Sequence, residues 1–396
     1  MNTQPVKAGV PAGESLLARV KALRELIEAK ADVDEEATQP ADEVLEALMD
    51  AGVFTLLAPR GVGGQEAHPR EVLDVLKALA YFDGSVGWYC QAALTGPAIA
   101  GAFLGDRAIE AIFCSGGRPT CSGQAAPKGK AERVAGGYRI CGSFNFGSGI
   151  PTASWIVGGY TLHENGAPVL RDNGQPVMLI ALAPRSKVEL LGNWNVLGLR
   201  ATGSYDFRVL DQVVHSDFVF DPVTQAPRRG GALYGMGFLS IPHLCHAGFG
   251  IGCGARVLDE WVAYARAKQR PPAGLLHESE IFQKDLARAH AAMRSAEAYA
   301  RKSFDALFES AEHGGAPPEA QLDAKLSTAN VIAVAADTAQ TAFTSSATTG
   351  LRNGSRIQRF FRDAQAGNAH VMTGELSWIG SGRYLAGLPT PLLDLG

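Results

Sequence analysis

The chain has 396 residues, 46% of them hydrophobic and 19% charged, with a formal net charge of −4. That length points to two or three packed units rather than one small core. The mild acidity gives no basic footprint for nucleic acid, no apolar run is long and clean enough to span a bilayer, and the opening MNTQPVKAGVPAGE has no signal-peptide core.

Six cysteines lie scattered in apolar contexts without CxxC pairs, which predicts reduced, mostly buried thiols and a cytoplasmic location. The first third reads as helical. Leu16, Leu17, Val20, Leu23, Leu26 and Ile27 form a stripe at helical spacing. A second helix is predicted over Ala41–Ala51, ending at Gly52, and a third around Pro69–Tyr81, after the turn chemistry of Pro59–Gly64. Asp83-Gly-Ser85 can break and recap the chain, and Trp88–Phe103 is then an apolar helix too short for a membrane span.

The character changes near Arg118. Short β-like runs follow at Tyr138–Cys141, Ser154–Tyr160, Val177–Leu182, Val188–Leu191 and Tyr205–Val209, with hairpin signals at Gly136-Gly137 and Asn173-Gly174. They predict an antiparallel β-barrel or sandwich. From about Ala232 long alanine-rich helices return, predicted over Phe238–Ala267, Ser279–Ser310, Glu319–Thr349 and Arg356–Ser377. They suit a four-helix bundle, followed by an extended tail at Leu388-Pro-Thr-Pro-Leu392. The expected class is α+β in three units: helical 1–117, β 118–230, and bundle with tail 231–396.

Ser355–His370 carries the most chemistry. Ile357, Phe360, Phe361 and Ala364 mark an apolar helix face, Arg356, Arg359 and Arg362 flank it, and His370 follows near the helix end. Histidine is the side chain suited to proton transfer near neutral pH, although a buried, hydrogen-bonded imidazole among surface arginines has the same pattern. His243-Leu-Cys-His246 has metal-ligand residue types but no evident third ligand. Gly248-Phe-Gly-Ile-Gly-Cys-Gly254 lacks the strand and spacing of a dinucleotide loop and reads as close helix packing.

Helices, then β, then a four-helix bundle resembles the acyl-CoA dehydrogenase fold. Asp50–Pro59 with Gly63–Glu66, Asn193-Trp-Asn-Val-Leu-Gly-Leu-Arg-Ala-Thr-Gly-Ser204 and the stretch from Tyr264 to Gln283 carry that likeness. Gly87-Trp88, Gly142-Ser-Phe-Asn-Phe-Gly-Ser-Gly149 and Arg359-Phe-Phe-Arg-Asp363 with His370 resemble, more narrowly, the oxygenase components of two-component flavin-dependent monooxygenases. The resemblance implies hydroxylation of an aromatic small molecule through a C4a-hydroperoxyflavin. It also implies O2, reduced FMN or FAD from a separate NAD(P)H-dependent flavin reductase, and a homotetramer.

On that resemblance His370 takes a substrate proton and Ser148 supports the flavin intermediate. Phe146, Ser148 and Gly149 form the flavin-side turn. Ser122 faces flavin or is a turn serine; Trp194 stacks near flavin or is core; Arg200, Thr202 and Ser204 bond flavin or shape a loop. Lys268 and Arg270 reach phosphate on a neighbouring subunit or are merely solvated. Trp88, Gly96, Gln124 and Met372 are the expected substrate contacts. Leu94-Thr-Gly-Pro97 and Met372 stand where relatives acting on small phenolic acids carry a histidine and a tyrosine, which favours an indole-like or fused-ring substrate. A thioester dehydrogenase needs a carboxylate base, for which Glu375 is the nearest candidate at the wrong offset; a non-catalytic flavin- or ligand-binding protein is the remaining alternative.

Overall fold

The computed structural model describes residues 14–114 and 119–388. The expected change of unit at Arg118 and the tail beyond Leu388 lie outside the described residues. The amino-terminal helices are α1 (Leu16–Ala22), α2 (Arg24–Ala37), α3 (Asp42–Asp50), α4 (Pro69–Phe82), α5 (Gly84–Phe103) and α6 (Asp106–Ile109). Helix α5 begins four residues before the predicted Trp88. Asp83 caps it, its carboxylate accepting from the Val86 N–H at 3.0 Å.

The β unit has one mixed sheet, ordered β6-β7-β2-β1-β3-β5-β8, with the short β4 paired to β3. Its strands are β1 (Cys121–Val134), β2 (Gly137–Gly147), β3 (Trp155–Glu164), β4 (Ala167–Pro168), β5 (Met178–Pro184), β6 (Val188–Leu190), β7 (Tyr205–His215) and β8 (Val219–Phe220). The predicted antiparallel arrangement needs correction, because β1 and β3 run parallel, pairing Cys121 with Trp155. The hairpin at Gly136-Gly137 makes β2 antiparallel to β1. The chain then steps across the start of β1 through residues 148–154, where Ser154 and Trp155 donate to the Thr120 carbonyl, and enters β3 on the far side. Ser148 sits on that step.

The carboxy-terminal helices are α7 (Ala232–Gly235), α8 (Ser240–Ala267), α9 (Glu280–Glu312), α10 (Pro318–Ser345), α11 (Arg356–Asn368) and α12 (Glu375–Leu385). Helices α7–α11 share one apolar core with α1–α6, while the sheet has its own around Phe144, Tyr160 and Phe207. The glycines of α8 explain the close approach. A Cβ on Gly252 would sit 2.3 Å from the Lys77 carbonyl oxygen of α4, and one on Gly250 would lie 2.8 Å from Ile332 of α10. None of the described helices is long and apolar enough to cross a membrane.

Candidate active site

The predicted helix Arg356–Ser377 is broken, and the break places His370. Helix α11 stops at Asn368 because the Gly367 carbonyl is taken by the Thr373 hydroxyl at 3.0 Å. The next turn is held by Thr373 and Gly374 N–H groups donating to the His370 carbonyl, and α12 starts afresh. His370 therefore stands on a turn. Its ring lies 5.4 Å from Trp88 of α5 and 4.7 Å from His246 of α8, centroid to centroid. Phe249 packs edge-on to Trp88 at 5.0 Å.

From Trp88 a chain of polar groups runs into the β unit. The Trp88 indole N–H donates to Ser148 Oγ at 3.1 Å; Ser148 and Ser204 hydroxyls are 2.7 Å apart, and Ser204 and Thr202 hydroxyls 2.6 Å apart. The chain ends on the Leu199 carbonyl, which accepts from Thr202 at 2.8 Å. All three hydroxyl residues are buried. Ser122 donates to the Ser148 carbonyl, tying β1 to the same turn. Gly149 takes φ 75° and donates its N–H to the Thr202 carbonyl, so turn and loop are locked together.

Beside this chain Phe146 is held at φ 58° with its ring 62% exposed. A non-glycine residue in that region stores roughly 1–3 kcal/mol and marks a constrained site. Asp206 holds it there, accepting from the Phe146 N–H at 3.2 Å, and also binds the Asn145 and Asn193 amides. Trp194 meets Phe146 edge-on at 6.0 Å while its indole N–H donates to the Leu199 carbonyl. On β1, Gln124 Oε1 is buried with no partner. An exposed aromatic held in place, a row of hydroxyls and an orphaned amide oxygen suit a flat, polar-edged heterocycle such as a flavin.

The other expected contacts lie differently. Gly96 packs α5 against β1, where a Cβ would be 2.5 Å from that of Cys121. Lys268 reaches Thr349 and Arg270 reaches the Ser345 carbonyl within this chain, both beyond the far end of α8. Arg200 is half-buried in the loop, whose Ala201 N–H donates to Ser85. Met372 donates its N–H to His370 Nδ1 at 3.3 Å.

Two features were missed in the sequence. The arginines of α11 are clamps rather than free surface cations. Arg362 binds Glu35 at 2.6 Å and the Leu197 carbonyl at 2.7 Å, Arg359 reaches Asp32, Glu35 and Asp83, and Arg356 reaches Glu28. Between them Asp363 is buried and accepts from the Leu199 N–H at 2.6 Å, anchoring the loop that ends the hydroxyl chain. Its place three residues after Phe360, on the apolar face, was the available signal. The second feature is His246. Burial lowers its pKa to about 4, and burial followed by repulsion from His246 lowers that of His370 to about 3. Both imidazoles are neutral at physiological pH. With His243 they form no metal-holding group among the described residues.

A helical flank, a central mixed sheet and a helix bundle meeting at this site define an acyl-CoA dehydrogenase-like fold. The family model described as "Acyl-CoA dehydrogenase, C-terminal domain" matches residues 244–375. The indole-3-acetate monooxygenase of Pseudomonas putida is 28% identical over 354 residues, 87% of either chain. The oxygenase subunit HsaA, a flavin-dependent monooxygenase of Rhodococcus jostii, is 29% identical over 94% of this chain and 98% of its own. The 3-HSA hydroxylase structure from Rhodococcus sp. RHA1 superposes with a TM-score of 0.87 at 26% identity, covering 96% of this chain and 99% of that one. Along nearly its whole length the chain is similar to flavin-dependent monooxygenases, the oxygenase components of two-component systems, and it has their acyl-CoA dehydrogenase-like fold.

Proposed function

We propose that this oxygenase hydroxylates a bulky, apolar aromatic, indole-like or fused-ring, in the cytoplasm as a homotetramer, using reduced flavin handed over by a separate reductase. The observation that carries this reading is the continuous chain Trp88–Ser148–Ser204–Thr202 meeting the neutral histidine pair at Trp88. Bound reduced flavin, as FMN or FAD, supplies activation of O2. Phe146 and Trp194 would hold its ring system, and Ser148, fixed on both sides by Trp88 and Ser204, would offer it a hydroxyl. His370 acts at the substrate atom that bears the proton.

Burial of Trp88, Phe249 and His246 keeps water from the reacting oxygen, which suppresses loss as hydrogen peroxide. Met372 beside His370, in place of a polar side chain, supports an apolar ring as substrate. The thioester dehydrogenase reading loses its base: Glu375 is exposed on the first turn of α12. Assembly is supported by Val371, Leu376, Trp378, Ile379 and Leu385, all exposed on or just before α12.

The test combines the protein with NADH, flavin, a generic flavin reductase, O2 and a panel of aromatics. Hydroxylated product is expected from indole-type or fused-ring compounds, with kcat/KM favouring them over small phenolic acids. Oxidation of an acyl-CoA thioester, or NADH oxidation by the purified chain alone, would reject the reading.

A further inference from the structure

The two histidines that meet at Trp88 differ in what their free nitrogens offer. His246 Nδ1 lies 2.7 Å from the Pro242 carbonyl, one turn back on its own helix. A carbonyl only accepts, so Nδ1 carries the proton and the neutral ring presents a bare lone pair at Nε2. That Nε2 is buried and has no partner in the protein. A buried acceptor without a donor costs on the order of 1–3 kcal/mol, and a polar group left so in a native site calls for a ligand.

His370 is set the other way. Its Nδ1 accepts the Met372 N–H at 3.3 Å, so in the neutral ring Nε2 carries the proton and donates. The rings stand 4.7 Å apart, tilted by 31°, against the same indole. One offers a lone pair and the other an N–H, which is the pair of contacts that a hydroxyl or ring N–H losing its proton needs. The titratable groups around His246 are His243 on the same helix, His370 on the turn and Lys325 of α10, which acts through His243. All are basic groups, so a second positive charge here is disfavoured and only one imidazole takes up a proton at a time.

We propose that His246 Nε2 is the base that removes the substrate's O–H or N–H proton, while His370 stays neutral and donates from Nε2 to the atom left behind. The bond broken is the substrate's O–H or N–H. Its electron pair stays on the heteroatom and enriches the ring for attack on activated oxygen, the bond formed is N–H on His246, and no oxidant is consumed in this step. The assignment rests on the oxygenase reading above. It moves the base from the carboxy-terminal turn to helix α8, and makes His370 a hydrogen-bond donor.

2-Naphthol separates the two roles without flavin. It is a fused-ring phenol that becomes a strong acid when excited, so its emission reports whether a proton acceptor touches its hydroxyl. Bound to the wild-type protein it should emit as naphtholate. His246→Gln should return the emission to neutral naphthol, and His370→Gln should leave naphtholate emission in place. Any pattern other than loss confined to His246→Gln overturns the assignment.

If the wild type hydroxylates another aromatic but does not bind 2-naphthol, single-turnover product formation from that aromatic decides. His246→Gln should lower it roughly 10²–10⁴-fold, the usual worth of a general base. A change within a few-fold overturns the proposal. A wild type that hydroxylates no aromatic at all instead overturns the oxygenase reading on which it rests.

Discussion

Replacing Asp363 by asparagine should stabilise the protein at neutral and alkaline pH, with the gain fading as pH falls to about 4. The carboxylate accepts from the Leu199 N–H through Oδ1, but Oδ2 is buried with no partner. A Cβ on Gly84 would come within 2.6 Å of Oδ2, so a glycine at that position makes room for it. Burial first, and then the charge of Asp83, raise the Asp363 carboxyl from 3.8 to about 7. Because the folded value lies above the unfolded one, the unfolded chain releases its proton first as pH rises. The group therefore costs stability progressively between about pH 4 and pH 7 and by its full amount above that window.

Three pH units correspond to about 4 kcal/mol at 1.36 kcal/mol per unit. Asparagine keeps the acceptor for Leu199 and loses the charge, which forfeits about 1 kcal/mol of charge-assisted hydrogen bonding. The balance is a gain of roughly 2–3 kcal/mol above pH 7 that shrinks as pH falls and is near zero only below about pH 4, where the unfolded carboxyl is protonated as well. Urea denaturation of the two proteins at pH 4 and pH 8 measures it. An asparagine variant no more stable than wild type at pH 8, or one that loses equally at both pH values, would refute the reasoning. Asp363→Ala removes the acceptor altogether and should loosen the loop, seen as more hydrogen peroxide released per NADH consumed.

Other outcomes follow from the same geometry. Ser148→Ala removes the centre of the hydroxyl chain and should raise hydrogen peroxide per NADH while the fold, followed by circular dichroism, stays intact; unchanged coupling would make Ser148 structural. Trp88→Phe keeps the ring packing but loses the 3.1 Å bond to Ser148, so uncoupling in the same direction, smaller than for Ser148→Ala, is expected. Burial pushes Glu28 up, but hydrogen bonds from Arg256 and Arg24 outweigh it and hold the carboxyl at about 2. Its folded value lies below the unfolded 4.5, so its stabilisation is present above pH 4.5 and is lost as pH falls towards 2. Glu28→Gln should flatten that acid limb of a denaturation profile.

Much of the fold was legible because periodicity records burial. The stripe from Leu16 to Ile27, the helix from Pro69 and the first three bundle helices lie close to their predicted bounds, and the glycines of α8 pack as their spacing implied. Strand β1 was not legible. Pro127, Lys128 and Lys130 interrupt any alternation, and the strand tolerates them where its pairing to β3 shifts register between Gln124 and Gly129. The break after Asn368 was hidden because it depends on the Thr373 hydroxyl turning back onto Gly367, a tertiary detail that no helical periodicity carries.

The site divides in the same way. Ser148, Trp88 and His370 could be picked out from motifs, and the structure brings Trp88 into contact with both others. Asp206 could not, since a carboxylate that anchors a turn looks like any acid until Asn145, Phe146 and Asn193 are placed against it, and Asp363 showed only as an acid on an apolar helix face, its donor 164 residues away. His246 was visible as a residue, but its tautomer was not, because that is set by the backbone carbonyl of Pro242.

The central claim is that this chain inserts one atom of O2 into an aromatic ring using flavin reduced elsewhere. A single turnover with flavin reduced chemically, no NADH and no reductase, and isotopically labelled O2 tests it most directly. One labelled oxygen atom in a hydroxylated indole-type or fused-ring product is the predicted result. Unlabelled product, or oxygen recovered entirely as hydrogen peroxide for every aromatic tried, would contradict it.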